Sequence, residues 1–149
     1  MRPVANLILR TAGEADAKII GDLLARSGLP TGDLITARPE FVLASSAGQI
    51  VGIGALEHFG AAALLRSVAV EPQWRGTGVG RLLIGELERS ARAAGVSELI
   101  LLTLTAADFF RRLGYGAKDR DRVPEAVLAS AEFKSLCPAS AICMAKALT

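Results

Sequence analysis

The chain has 149 residues, 51% of them hydrophobic, with a mean hydropathy of +0.39 and a formal charge of +2. Hydrophobicity at that level with so little net charge excludes intrinsic disorder, and the length suits one ordinary domain, 1–149, with an unstapled core. Basic residues are scattered apart from short groups at Arg75–Arg81 and Arg111–Arg122, too few for a nucleic-acid footprint but suited to a small polyanion.

Residues 4–10 (VANLILR) predict a first strand. Its apolar stretch is broken by Asn6 and stopped by Arg10, shorter than a secretory core. No apolar run approaches the ~20 residues of a bilayer span, so a soluble, cytoplasmic chain without a membrane partner is expected. Thr11 stands three residues before Glu14, a capping-box spacing, and opens an amphipathic helix through Arg26 that Gly28 and Pro30 end. Residues 29–39 form a loop or short helix. Phe41–Ser45 and Gln49–Phe59 predict a hairpin around Ala47-Gly48, and Ala62–Val70 a further strand before Pro72. Gly78–Ala94 predicts a helix with Leu82, Leu83, Leu87 and Ala91 on one face, stopped by Gly95.

Glu98–Thr103 follows as a buried strand, and Thr105 caps a short helix that Gly114 closes. Residues 115–122 are strongly charged, and within them Lys118–Arg122 is a candidate lid over an acceptor site. A short helix follows Pro124, and Ser140–Ala147 is a last strand. Hairpin strands followed by a strand–helix–strand crossover imply an α+β, three-layer fold. Its mixed sheet has about six or seven strands, with helices on both faces.

The strongest local signal is Val70-Glu71-Pro72-Gln73-Trp74-Arg75-Gly76-Thr77-Gly78-Val79-Gly80-Arg81. A strand enters a glycine-rich turn that leads directly into a helix. Alternate glycines let the backbone approach a bulky anion, and the unpaired amides and positive dipole end of the helix suit a pyrophosphate. Arg75 and Arg81 flank the turn. The G-x-G-x-G spacing is not that of a dinucleotide fold, which also places its fingerprint after the first strand. Cys137 and Cys143, with His58 as the single histidine, complete no zinc set, so no metal is expected and the thiols are read as free. No G-x-S-x-G elbow supports a hydrolase.

Arg75-x-x-Gly78-x-Gly80, preceded by LRSVAVEP, resembles the acetyl-CoA motif of the GNAT (Gcn5-related N-acetyltransferase) superfamily. Ala106-x-x-Phe109-Phe110-x-Arg112-x-Gly114-Tyr115 resembles a second segment of that family. The resemblance implies acetyl-CoA as cosubstrate and a small-molecule amine as partner. The backbone of Val68, Ala69 and Val70 would meet the pantetheine arm. The amides of Arg75, Gly76, Thr77, Gly78, Val79 and Gly80 would hold the pyrophosphate, with Arg81 beside them. Phe109 and Arg112 would line the far side of the cofactor, with core packing the alternative for Phe109. Similar proteins often dimerise through the C-terminal strand, so a homodimer is admitted although no residue specifies it.

Acetyl transfer needs a neutral amine, hence a proton acceptor. Many relatives carry a glutamate on the strand at 62–70, which has none here. Glu57 on the preceding strand is the candidate base, as an alternative to an ordinary solvated strand residue, and His58 faces the opposite way. Phe110 replaces the family's usual tyrosine acid, leaving Tyr115 as a minor catalytic candidate, and Thr103 stands where relatives often carry asparagine. Arg66 within its strand needs a partner. The segment Leu65–Val70 resembles glutamate-type amino-acid acetyltransferases, which implies that Arg66 clamps a substrate carboxylate, with Ser67 and Thr103 beside it. The run Phe133–Lys146 resembles arsenic-resistance-associated acetyltransferases. The reading is an N-acetyltransferase acting on a small carboxylate-bearing amine, an amino acid or a toxic analogue. A non-catalytic acyl-CoA sensor and a peptide or protein N-acetyltransferase are the alternatives.

Overall fold

The computed structural model describes residues 6–29, 31–137 and 139–148. Strands β1 (Ile8–Thr11), β2 (Glu40–Ser46), β3 (Gln49–Phe59) and β4 (Ala62–Val70) form an antiparallel meander. Residues 4 and 5 of the expected first strand lie outside the described residues. The β2–β3 hairpin turns on Ala47 (φ 51°) and Gly48 (φ 80°), the left-handed pair that a two-residue turn requires. Thr11 does not cap a helix, because it is paired with Val42 in the strand ladder. Asp16 takes that role by accepting the Gly13 amide at 2.8 Å, and a single turn at Glu14–Asp16 leads into helix α1 (Ala17–Arg26). A short helix α2 (Leu34–Ala37) precedes β2.

After β4, a turn at Pro72–Trp74 and the glycine segment lead into α3 (Val79–Ala93), which crosses to β5 (Glu98–Thr103), parallel to β4. Helix α4 (Ala107–Arg112), strand β6 (Gly116–Ala117) and helix α5 (Glu125–Leu128) follow. A wide helical turn at Glu132–Leu136 then leads into β7 (Ile142–Ala147). Strand β7 enters antiparallel between β5 and β6, giving the order β1-β2-β3-β4-β5-β7-β6. The sheet is therefore mixed, with seven strands and helices on both faces, as the sequence predicts.

One face carries α3 and α4 over Val42, Leu56, Leu65, Leu101 and Met144. Here Gly54 leaves room for a helix, since a Cβ at that position would lie 2.7 Å from Leu87 Cδ1. The buried stripe of α3 is Leu83, Ile84, Leu87 and Ala91. Leu82, expected within it, is 40% exposed because it lies a full ~100° around the helix from Leu83. The other face is covered in two patches. Helix α1 packs Ile20, Leu23 and Leu24 on Leu43 and Ile53. The 123–133 segment packs Val123, Val127 and Phe133 on Leu64 and Ile100.

Candidate active site

Parallel pairing between β4 and β5 covers only Ala62–Leu64 against Glu98–Ile100. Beyond Leu64 the two strands diverge, and β4 has no ladder partner on that side among the described residues. Its backbone groups there can pair with an amide-bearing chain laid alongside, as an added strand would. The β4 edge also carries a bulge. Its register with β3 skips between Ala55↔Arg66 and Ile53↔Ala69, so Ser67 and Val68 together oppose Gly54. Ser67 holds φ at 59°, a left-handed conformation unusual for a residue with a side chain. The extra residue inverts the alternation. Arg66 faces the α1 side with Ala69, whereas Val68 and Val70 pack toward α3.

Two adjoining clefts open where the strands part. The first, about 760 Å³, is lined by Val68 to Val70, by the turn from Trp74 to Gly78, and by Gly80, Arg81, Phe109 and Arg112. Gly76 (φ 76°) and Gly78 (φ 101°) both adopt left-handed backbone, which turns the chain into α3. No side chain caps this helix among the described residues, so its leading amides remain open to an anion. Thr77 Oγ1 donates to the carbonyl of the buried Trp74 and braces the turn. A Cβ on Gly80 would lie 3.2 Å from Phe109 Cζ, so the glycine lets α4 close against the turn. Three arginines, Arg75, Arg81 and Arg112, surround this cleft, a donor set that fits a pyrophosphate and a further phosphate.

The second cleft, about 600 Å³, shares Ser27, Leu29, Val68, Thr105, Ala106 and Phe109 with the first and continues to Arg66, Ser67, Thr103, Glu132 and Cys137. Thr103 Oγ1 accepts the Ala106 amide at 3.0 Å, so Thr103 rather than the expected Thr105 secures the start of α4. At its floor the Arg66 side chain is wholly buried. It donates through Nη1 and Nη2 to both oxygens of Asp33, at 2.6 and 2.7 Å. Nη1 also reaches Glu57 Oε1 at 3.0 Å, and Nε donates to Ser67 Oγ at 3.3 Å with Glu132 Oε1 3.5 Å away. Burial opposes the Arg66 charge, but the Asp33 hydrogen bonds and the Glu132 and Asp33 charges outweigh it, raising its pKa well above the usual range. The same hydrogen bonds hold Asp33 below the ordinary carboxylate range. Burial pushes the Glu132 carboxyl up to about 7, against the attraction of Arg66 and with the repulsion of Asp33 and Glu57.

The expected site residues thus separate. Those of the glycine segment, with Phe109 and Arg112, gather at the first cleft, although the Val79 side chain turns away into the core. Arg66, Ser67 and Thr103 gather at the second. The expected clamp is already closed: the carboxylate that Arg66 grips bidentately is the chain's own Asp33. Glu57, expected as the base, is committed to Arg66 and is not among the lining residues of either cleft. Tyr115 lies on the opposite face, donating to Glu88 Oε2 at 2.8 Å and packed edge-on against Phe110, outside both clefts. No residue of the charged segment is among those lining the acceptor cleft. Lys118 pairs with Glu98 at 2.9 Å, and Arg120 donates to the Ala141 carbonyl at 2.8 Å. Sequence reasoning missed Asp33 and Glu132. The need of Arg66 for a partner was the signal that acids had to exist, without saying where.

A cleft with a cationic rim and an uncapped helix start, joined to a second cleft along a free strand edge, fits an anionic donor laid beside an acceptor, the arrangement of a group-transfer enzyme. Residues 37–116 match the model of the acetyltransferase (GNAT) domain, and the chain belongs to this family of acetyl-CoA-dependent N-acetyltransferases. A protein named as an uncharacterized N-acetyltransferase of Chlorobaculum tepidum is 32% identical over 136 residues, 84% of this chain and 85% of the relative. An amino-acid acetyltransferase of Pseudomonas syringae is 39% identical over 62 residues, which cover 42% of this chain but 14% of that protein. The crystal structure of N-acetylglutamate synthase from Neisseria gonorrhoeae with coenzyme A and N-acetyl-glutamate superposes with a TM-score of 0.83 at 23% identity. That likeness spans 97% of this chain and 36% of the larger one. Acetyl-CoA is the cosubstrate. No helix of the described residues is long and apolar enough to cross a membrane.

Proposed function

We propose that the chain transfers acetyl from acetyl-CoA to the primary amine of a small amino acid or amino-acid analogue held in the second cleft. The observation that carries this reading is the shared wall of the two clefts, where Val68 and Phe109 belong to both. An acetyl group delivered along β4 meets an amine entering from the Arg66 side at that wall, which supplies the proximity the reaction needs. Amides of the free β4 edge hydrogen-bond the acetyl carbonyl and stabilise the charge it develops. Because Arg66 is occupied, a carboxylate on the acceptor is received by Ser67 and Thr103. Each hydroxyl oxygen already accepts one hydrogen bond, leaving its own proton to donate. The acidic floor then draws the ammonium end. The amino-acid acetyltransferase of Pseudomonas syringae supports an amino-acid acceptor, and the C-terminal run supports a narrower form, a toxic amino-acid analogue met in the cytoplasm during arsenic resistance.

Thiol release from acetyl-CoA, measured against glutamate, aspartate, phosphinothricin-like analogues and simple amines, tests the reading. Turnover confined to amino acids and their analogues is the expected result. Acetyl-CoA binding with no turnover on any of them would instead favour an acyl-CoA sensor.

A further inference from the structure

The Arg66 group is unbalanced: three carboxylates, from the loop before α2, from β3 and from the turn at Glu132–Leu136, face one guanidinium. They are not equivalent. Asp33 holds Arg66 with two short hydrogen bonds and Glu57 with one of 3.0 Å. Glu132 approaches Nε only to 3.5 Å, longer than a good hydrogen bond. Of the three, Glu132 alone lines the acceptor cleft, although its side chain is just 5% exposed. It also begins the one wide helical turn among the described residues, a distortion that often marks functional positions.

We propose that Glu132 is the proton acceptor for the substrate amine, and that Arg66, Asp33 and Glu57 are positioning residues that hold it in place. This rests on the acetyl-transfer reading above. The acceptor enters as an ammonium and gives one proton to the Glu132 carboxylate. Its nitrogen then forms a bond to the acetyl carbon as the carbon–sulfur bond breaks. The departing sulfur takes the second proton the nitrogen loses, giving amide and thiol, and Glu132 returns its proton to water.

The charged and titratable groups facing Glu132 favour this role. Burial, joined by the repulsion of Asp33 and Glu57, outweighs the attraction of Arg66, so the carboxyl changes charge near neutrality. Cys137, beside it in the cleft, is pushed up to about 11 by burial first and then by the Glu132 charge, so it remains a thiol. Arg120 stacks on the Phe133 ring at 5.6 Å and exerts its pull on Cys137.

Two measurements on the full chain decide the matter. In glutamate-labelled protein saturated with coenzyme A, the carboxyl carbon signal absent from Glu132→Gln should titrate near pH 7. A midpoint between about pH 4 and 5, the ordinary glutamate range, overturns the proposal. In kinetics with the fastest acceptor of the panel, Glu132→Gln should lose roughly 100- to 10,000-fold in kcat/KM at about pH 7. The deficit should shrink as pH approaches the amine pKa, Glu132→Asp should recover part of the rate, and acetyl-CoA affinity should be unchanged. A deficit under about threefold, or one equal at every pH, assigns Glu132 a structural role and overturns the proposal. A silent panel overturns the acceptor class above, and the proposal then stands or falls on the titration.

Discussion

Two buried ionic groups sit on opposite faces of this sheet, and they differ in sign. On the α3 face Glu88 is a single carboxylate among donors. Lys146 Nζ lies 3.1 Å from each of its oxygens, Tyr115 donates to it at 2.8 Å, and the Lys146 ammonium also donates to the Leu113 carbonyl at 2.9 Å. On the other face Arg66 is a single cation among three acids. The first group joins α3, β7 and the end of α4, and its Glu88, Tyr115 and Lys146 line neither cleft. The second forms the floor of one. A balanced network secures packing, whereas burial of a carboxyl, reinforced by neighbouring like charge, shifts its pKa toward the working pH, as chemistry requires.

Removing the central charge of the acidic group should break the comparison most severely. Arg66→Met leaves three acids without their cation and should cost about 3–5 kcal/mol of folding stability. Urea melts should show part of that loss returning below about pH 5, as the acids become protonated. An unchanged midpoint at about pH 8 would mean that the acids are not held by Arg66.

Removing the surplus charge should act the other way. The Glu132 carboxyl rises from an ordinary 4.5 to about 7 in the folded chain, so between those values the native state holds more protons than the unfolded one. Stability therefore falls as pH rises through that window, and the full penalty stands above it. Glu132→Gln lacks the penalty. It should melt higher than the parent at about pH 8 by the equivalent of about 1–3 kcal/mol, several degrees, and equally at about pH 4. A variant less stable than the parent at the higher pH would show that the Arg66 contact outweighs the cost of burial and repulsion together.

The two sites were unequally legible before folding. The glycine turn is contiguous, each residue constraining the next, and the helix it starts begins within one residue of expectation. The fold followed from hydrophobic periods and turn residues, as at Ala47-Gly48. The acidic floor is assembled from distant places. Asp33 lies 33 residues before Arg66, in a loop without periodicity, and Glu132 in a distorted turn that no pattern announces. The bulge at Ser67 was equally hidden. No glycine marks its left-handed backbone, and one inserted residue sends Arg66 and Val68 to opposite faces. Tyr115 shows the converse error, since its place in a family motif says nothing of which side of the sheet the phenol faces.

The smallest effect is the sharpest test of the division. Tyr115→Phe deletes the hydroxyl that donates to Glu88 and nothing else. Burial, followed by the charge and hydrogen bond of Glu88, raises the phenol well above its ordinary range, so it is a donor at every working pH and never a base. Glu88 keeps both Lys146 contacts, so the loss should stay at about 1 kcal/mol, that of one hydrogen bond. Since Tyr115 lines neither cleft, turnover, acetyl-CoA affinity and the pH profile should all match the parent. A roughly tenfold loss of kcat with normal acetyl-CoA binding would bring the phenol into the chemistry. The Glu88 group could then no longer be regarded as packing alone.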